Sequence, residues 1–169
     1  MDKIILNKSQ SVAFTGHRSI YGSKRQELRM SVENTIIDLY ESGYRNFING
    51  MAMGFDLLAA SAVIALRRRF SDIKLIAVVP YRNQSEKFSE YDQKRYQYVL
   101  HNADEVIVLR EKYCNGCMLR RNDYMLAHAS GLIAYYDGKP KGGTFYTIRK
   151  ASESGMPVVN LFRTQKENL

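Results

Sequence analysis

The chain has 169 residues, 45% of them hydrophobic and 25% charged, which suffices to bury most of its apolar surface in a single core. Its longest uncharged apolar stretch, residues 57–66, is about half of what a bilayer crossing needs, and the first ten residues hold no apolar run of signal-peptide length, so cytoplasm is the expected compartment. Two cysteines argue against a secreted disulfide scaffold, while a net charge of +8 points to an anionic partner or a solvated basic surface.

Short apolar runs alternate with longer helical patterns. A strand at 12–14 precedes a helix that opens with Ser23-x-x-Gln26, a capping-box spacing. That helix carries Leu28, Val32, Ile36 and Leu39 on one face, and Gly43 ends it. A strand is predicted at 45–49, then a helix over 54–70 whose apolar residues nearly surround it until Arg67-Arg68-Arg69. Residues 74–79 read as a strand and 85–101 as a helix, with Phe88, Tyr91, Tyr98 and Val99 inward. Strands at 106–109, 132–136 and 158–161 alternate with helices at 117–129 and 144–154. About nine residues at the start and six at the end read as loose tails. The strands are continuous apolar runs, which requires cover on both faces. The expected architecture is one α/β domain, a Rossmann-like three-layer sandwich with a mainly parallel sheet of about six strands. Ligands in such sheets sit at the carboxyl ends of the strands, so the strand exits are where chemistry is sought.

Three exits are rich in glycine. The first is Thr15-Gly16-His17-Arg18, the second runs from Gly50 through Ala52 and Gly54 to Asp56, and the third ends in Gly142-Gly143-Thr144 beside Lys139 and Lys141. Glycine admits close backbone approach, and free amides at a helix start suit an anion, so the third exit is the best phosphate candidate. Any single one of these glycines also fits an ordinary turn. Asp56 has two readings: a first-turn carboxylate facing the helix dipole, or an acceptor for a ribose hydroxyl that also positions the loop. Neither of the first two loops has the G-x-G-x-x-G spacing of a dinucleotide dehydrogenase.

On the helix at 117–129, Asn122 shares a stripe with Met118, Met125, Leu126 and Ala129, and a polar group there requires a partner in the core or in a ligand. Arg121 is expected at the pocket edge, where a guanidinium suits phosphate. The alternative is two solvated arginines and an asparagine satisfied in the core. Cys114-x-x-Cys117 supplies half of a tetrahedral metal site with no second pair, so no metal is assigned. His17 is the one histidine in a ligand-facing loop.

Taken together, Thr15-Gly16-His17-Arg18, Gly50-x-Ala52-x-Gly54-x-Asp56 with Ala59-Ala60, Cys117-x-x-Arg120-Arg121-Asn122, and Gly142-Gly143-Thr144 resemble the YpsA-like group of the SLOG superfamily, over residues 12–161. That superfamily includes the DNA-processing protein DprA and the LOG phosphoribohydrolases, which release cytokinin bases from nucleotides. The resemblance implies a Rossmann-like fold, a nucleotide-type ligand and a plausible homodimer, without implying a reaction. LOG enzymes carry a motif resembling Glu-Arg-Lys and a loop resembling Pro-Gly-Gly-x-Gly-Thr-x-x-Glu. On this chain the arginine falls on Arg121, but the two glutamate positions hold Arg120 and Thr147. Cleavage of an N-glycosidic bond passes through a cationic sugar that carboxylates stabilise. The phosphate-binding parts are present and the acid–base parts are not, unless Asp56 or His17 substitutes.

Three functions follow as expectations. The first is binding or sensing of a nucleotide or ADP-ribose-like phosphorylated ligand, with Tyr81 or Tyr113 stacking on a base. No cofactor beyond that ligand is assigned. The second is an N-glycosidase acting on nucleotides. The third is single-stranded DNA binding of the DprA type, which needs Arg67-Arg68-Arg69 and Arg120-Arg121 to share one face.

Overall fold

The computed structural model describes residues 6–163. A 3-10 turn at Lys8–Gln10 leads into β1 (Ser11–Gly16), α1 (Arg25–Glu41), β2 (Asn46–Asn49), α2 (Phe55–Leu66), β3 (Lys74–Val79) and α3 (Glu90–Asn102). There follow β4 (Glu105–Val108), α4 (Cys117–Ala127), β5 (Gly131–Tyr135), α5 (Gly142–Glu153) and β6 (Val158–Asn160). The six strands form one sheet in the order β4-β3-β2-β1-β5-β6, and every neighbouring pair is parallel. This is the α/β Rossmann-like sandwich that the alternation of patterns predicts. The last six residues, read as a tail, and residues 1–5 of the tail read at the start lie outside the described residues, whereas Lys8 and Ser9, also read as tail, belong to the 3-10 turn capped by Asn7.

Alternation along the strands builds two cores. Val12, Phe14, Phe47, Leu75 and Ala77 face α1, α2 and α3, whereas Ala13, Ile48, Ile76 and Leu132 face α4 and α5. α2 packs between α1 and α3, which explains its apolar girth: Phe55, Leu57, Leu58, Ala59, Ala60, Ala62, Val63 and Ile64 are all buried. α1 needs only one apolar stripe, and Leu28, Val32 and Ile36 at four-residue spacing supply it. β1 through β4 are laid down in one direction with helices on one face. The chain then returns to add β5 beside β1 with helices on the opposite face. The order reverses between β1 and β5, and the divergence of the two connections opens a crevice at their carboxyl ends.

Several local expectations are corrected. Tyr91 and Tyr98 point outward, 65% and 51% exposed, and the inward residues of α3 are Tyr96 and Val99. The helix starts at Glu90 rather than 85, because the Ser89 hydroxyl caps it by accepting from the Asp92 amide at 3.2 Å. Residues 85–88 form turns, which shifts the helical phase. The Ser23 capping box does not form, since residues 22–24 make a 3-10 turn and α1 begins at Arg25 with no side-chain cap. α2 stops at Leu66, and Arg67–Arg69 continue as turn. Cover on both faces holds for the inner strands only: the edge strands β4 and β6 are partly exposed. Among the described residues no helix is long and apolar enough to cross a membrane.

Candidate functional site

A cavity of about 340 Å³ opens at the reversal point between the carboxyl ends of β1 and β5, in the size range of small-molecule sites. The β1 exit contributes Thr15, Gly16, His17 and Arg18, and the β2 exit contributes Ala52 and Asp56. Arg121 and Asn122 come from α4, and Gly142, Gly143 and Thr144 from the start of α5. Eleven of the thirteen residues singled out in the sequence therefore line one cavity. Gly50 and Gly54 lie behind it. Phe14, Met118 and Lys141 line it as well and were not among those thirteen.

The β2 exit is closed upon itself. Asn49 holds it at both ends, its side-chain oxygen accepting from the Met51 amide at 2.9 Å and its nitrogen donating to the Asp56 carbonyl at 2.8 Å. Met51 is buried in the left-handed region at φ 64°, a conformation rarely adopted by non-glycine residues. The Ala52 amide donates to Asp56 Oδ2 at 3.2 Å, and the Phe55 amide donates to the His17 carbonyl at 3.1 Å. Gly54 permits that last contact: its φ is 80°, and a Cβ there would stand 2.3 Å from the Arg18 carbonyl oxygen. The Met51, Ala52 and Phe55 amides of this loop are therefore engaged internally, and the second glycine-rich exit does not act alike with the third.

The start of α5 is open. Its N-cap, Lys141, makes no side-chain capping bond, and among the described residues no acceptor takes the amides of Gly142, Gly143 or Thr144. These orphaned donors face the cavity with the positive end of the helix dipole behind them.

Arg121 is not at the pocket edge. It is buried in the cavity floor, where Nε donates to Asn122 Oδ1 at 2.9 Å and Nη1 donates to the Gly50 carbonyl. A Cβ at Gly50 would fall 2.8 Å from the guanidinium, which accounts for that glycine. Gln84 donates to the same carbonyl at 3.1 Å and accepts from the Tyr96 hydroxyl at 3.1 Å. Burial pushes the Tyr96 hydroxyl up to about 12, so it remains a donor. Burial also draws the guanidinium below its usual range, and the facing Asp56 carboxylate opposes that shift. The Asn122 oxygen is thus satisfied by its neighbour, and the Arg121 Nη2 and Asn122 Nδ2 are the nitrogens left for the cavity.

Asp56 is 4% exposed, and its Oδ1 has no hydrogen-bond partner among the described residues. Burial raises its pKa to about 6 against the pull of Arg121, the Ala52 amide and Arg18. The carboxylate serves the loop through Oδ2 and keeps a buried, unpaired oxygen at Oδ1, so neither of the two sequence readings alone describes it.

His17 ties two strand exits together. Its Nε2 accepts from the Asp137 amide at 2.9 Å, and its ring meets Tyr135 at 6.1 Å and Tyr136 at 5.9 Å. The LOG glutamate positions are unsuited to the cavity. Arg120 is exposed with Nη1 3.9 Å from Cys114 Sγ, and the buried Thr147 hydroxyl donates to the Gly143 carbonyl at 2.8 Å. Tyr81 and Tyr113 meet edge to face at 5.4 Å and do not line the cavity. The residues that sequence reasoning missed are Asn49, Gln84 and Tyr96. A polar residue ending an apolar strand is a readable signal for Asn49. Gln84 lies in a turn and carries none.

A doubly wound parallel sheet with an anion-suited crevice at its reversal point defines a Rossmann-like domain. The family model for YpsA, the YspA SLOG family, matches residues 12–158, and the chain belongs to that family. It is 27% identical over 129 residues to a UPF0398 protein of Bacillus licheniformis, covering 75% of this chain and 70% of that protein. It is 32% identical over 114 residues to the SPbeta prophage-derived protein YoqJ of Bacillus subtilis, covering 60% and 66%. In structure it is similar to the single-stranded DNA-binding DNA processing protein A of Helicobacter pylori, with a TM-score of 0.68 and 20% identity over 97% of this chain and 70% of that one. That likeness shows the fold.

Proposed function

We propose that the cavity binds a nucleotide or ADP-ribose-like phosphorylated ligand, and that binding rather than turnover is its task. The observation that carries the reading is the pairing of a buried guanidinium with uncapped α5 amides across one cavity. A phosphate there accepts from Gly143 and Thr144 and from the Arg121 Nη2, and Lys141 adds charge at the rim. Arg18 lies on the other wall.

A base-releasing hydrolase is the second reading, and Asp56 is the observation that favours it: a carboxyl titrating near 6 in a cavity is suited to proton transfer. It stands alone, whereas the reaction ordinarily engages two carboxylates. The DNA-binding reading has less support. Arg67–Arg69 follow α2 at the amino edge of the sheet, opposite the cavity, and Arg67 is engaged by Asp104 at 2.6 Å. Arg121 is buried. The basic residues invoked for that reading do not share a face.

A thermal-shift screen against mononucleotides, ADP-ribose, NAD and short single-stranded DNA tests the choice, with Arg121→Ala and Gly143→Asp as controls. A saturable shift from a mononucleotide or ADP-ribose, lost in both variants, supports the binding reading. Stabilisation by DNA alone contradicts it. Chromatography of the same mixtures reveals any released base and so decides between binding and hydrolysis.

A further inference from the structure

A second cavity, about 800 Å³, adjoins the first on the α1 side of the β1 and β5 exits. His17 and Arg18 line both, so the two meet at a ridge formed by the β1 exit. Their linings differ in kind. The first offers orphaned amides and a buried guanidinium. The second is walled by Tyr21, Tyr135 and Phe162.

These aromatics form a surface suited to a planar group. Tyr135 and Phe162 lie 5.0 Å apart with their planes at 48°, and the His17 ring stands edge-on to Phe162 at 6.4 Å. Tyr135 is 6% exposed and also lies 5.8 Å from Phe55 in a stacked arrangement, which fixes this wall to the core. Tyr21 lines the same cavity and is 80% exposed, so its ring face is open to a ligand. Asp137 closes the rim, and the Lys139 amide holds its carboxyl below the usual range. A carboxylate at that point suits hydroxyl or amino donors and disfavours a second phosphate.

We infer that the second cavity is the nucleobase subsite of the ligand whose phosphate occupies the first, with the base stacked between Tyr21 and the Tyr135–Phe162 wall and the sugar crossing the His17–Arg18 ridge. The inference rests on the phosphate reading of the first cavity. It replaces Tyr81 and Tyr113 as stacking residues. Recognition by stacking predicts tolerance among bases and a preference for purines, whose faces are larger.

The test is calorimetric titration of the full chain with AMP, GMP and ribose 5-phosphate, the last carrying the phosphate and sugar without a base. The purine nucleotides are expected to bind at least about tenfold more tightly than ribose 5-phosphate, the scale of one aromatic stacking contact. Tyr21→Ala, at an exposed position that leaves the fold intact, removes that advantage and leaves ribose 5-phosphate binding unchanged. Tyr21→Phe retains it. Phe162→Ala repeats the loss from the other wall. Equal affinity for ribose 5-phosphate and the nucleotides overturns this inference alone, as does an unchanged preference in Tyr21→Ala. Absence of binding by all three probes overturns the phosphate reading and this one with it.

Discussion

The exits from β2 and β5 both carry glycine, both precede a helix, and both face the same crevice, yet they are built for opposite purposes. The β2 exit is braced by internal bonds: Asn49 clamps it, Asp56 accepts from its Ala52 amide, and Gly54 lets the β1 exit rest on it. The β5 exit is itself pinned through the Tyr136, Asp137, Lys139 and Lys141 amides, but it leaves the Gly142, Gly143 and Thr144 amides without an acceptor among the described residues and its N-cap without a side-chain bond. Glycine in the first permits close packing of the chain on itself, and glycine in the second leaves room for something else. A Cβ at Gly143 would meet only Asn122 Nδ2, at 3.7 Å. Composition does not separate these uses; which donors are satisfied does.

Substitution at the two loops gives the largest predicted difference. Gly54→Ala forces a side chain into a positive φ and against backbone, and it is expected to cost about 3 kcal/mol or more and roughly 10 °C in Tm. Gly143→Ala is expected to leave Tm nearly unchanged while weakening phosphate binding. Differential scanning calorimetry of both variants reads this directly, and equal losses would break the comparison.

Asp56 provides the next effect. Its folded pKa of about 6 lies above the unfolded value near 3.9, so the native state binds the extra proton between those limits. Its burden on stability is therefore absent below about pH 4, grows through that window, and is complete above pH 6, where linkage puts it at about 3 kcal/mol. Urea unfolding across pH 4.5–7.5 should show the wild type losing stability relative to Asp56→Asn as pH rises. A wild type that gains relative to the variant over that range would contradict the assignment.

Asn49→Ala, by leaving the buried Met51 amide unpaired and removing a second bond to the Asp56 carbonyl, is expected to cost about 2 kcal/mol in chemical denaturation. Arg67→Ala is expected to be the mildest, about 1 kcal/mol or less, since its ion pair with Asp104 is partly exposed. It should leave nucleotide affinity unaltered, and a large affinity loss there would return the DNA-binding surface to consideration.

The fold was legible because β1, β2, β3 and β5 are apolar runs too short for helices, and because α1 and α2 carry patterns that match one-sided and all-round burial. The errors fall where local chemistry decides. Ser85 and Ser89 offer similar helix starts, and the choice of Ser89 rotates Tyr91 and Tyr98 outward and Tyr96 inward. The site was legible to the extent that polar and glycine residues interrupt apolar strands at one edge. What the sequence did not disclose is depth: Arg121 was expected at a rim and lies in the floor, because only the folded chain brings the Gly50 carbonyl to meet it. The same holds for Tyr21 and Phe162, which are remote in sequence and face one cavity.

The central claim is that the amides opening α5, and not those of the β2 exit, receive the phosphate. Titration of the 15N-labelled protein with AMP, followed by amide NMR, tests it residue by residue. The account predicts progressive, saturable shifts at Gly142, Gly143 and Thr144, with Met51, Ala52 and Phe55 held nearly constant by their internal acceptors. Shifts concentrated at residues 51–55 or at Arg67–Arg69, with the start of α5 unmoved, would contradict it.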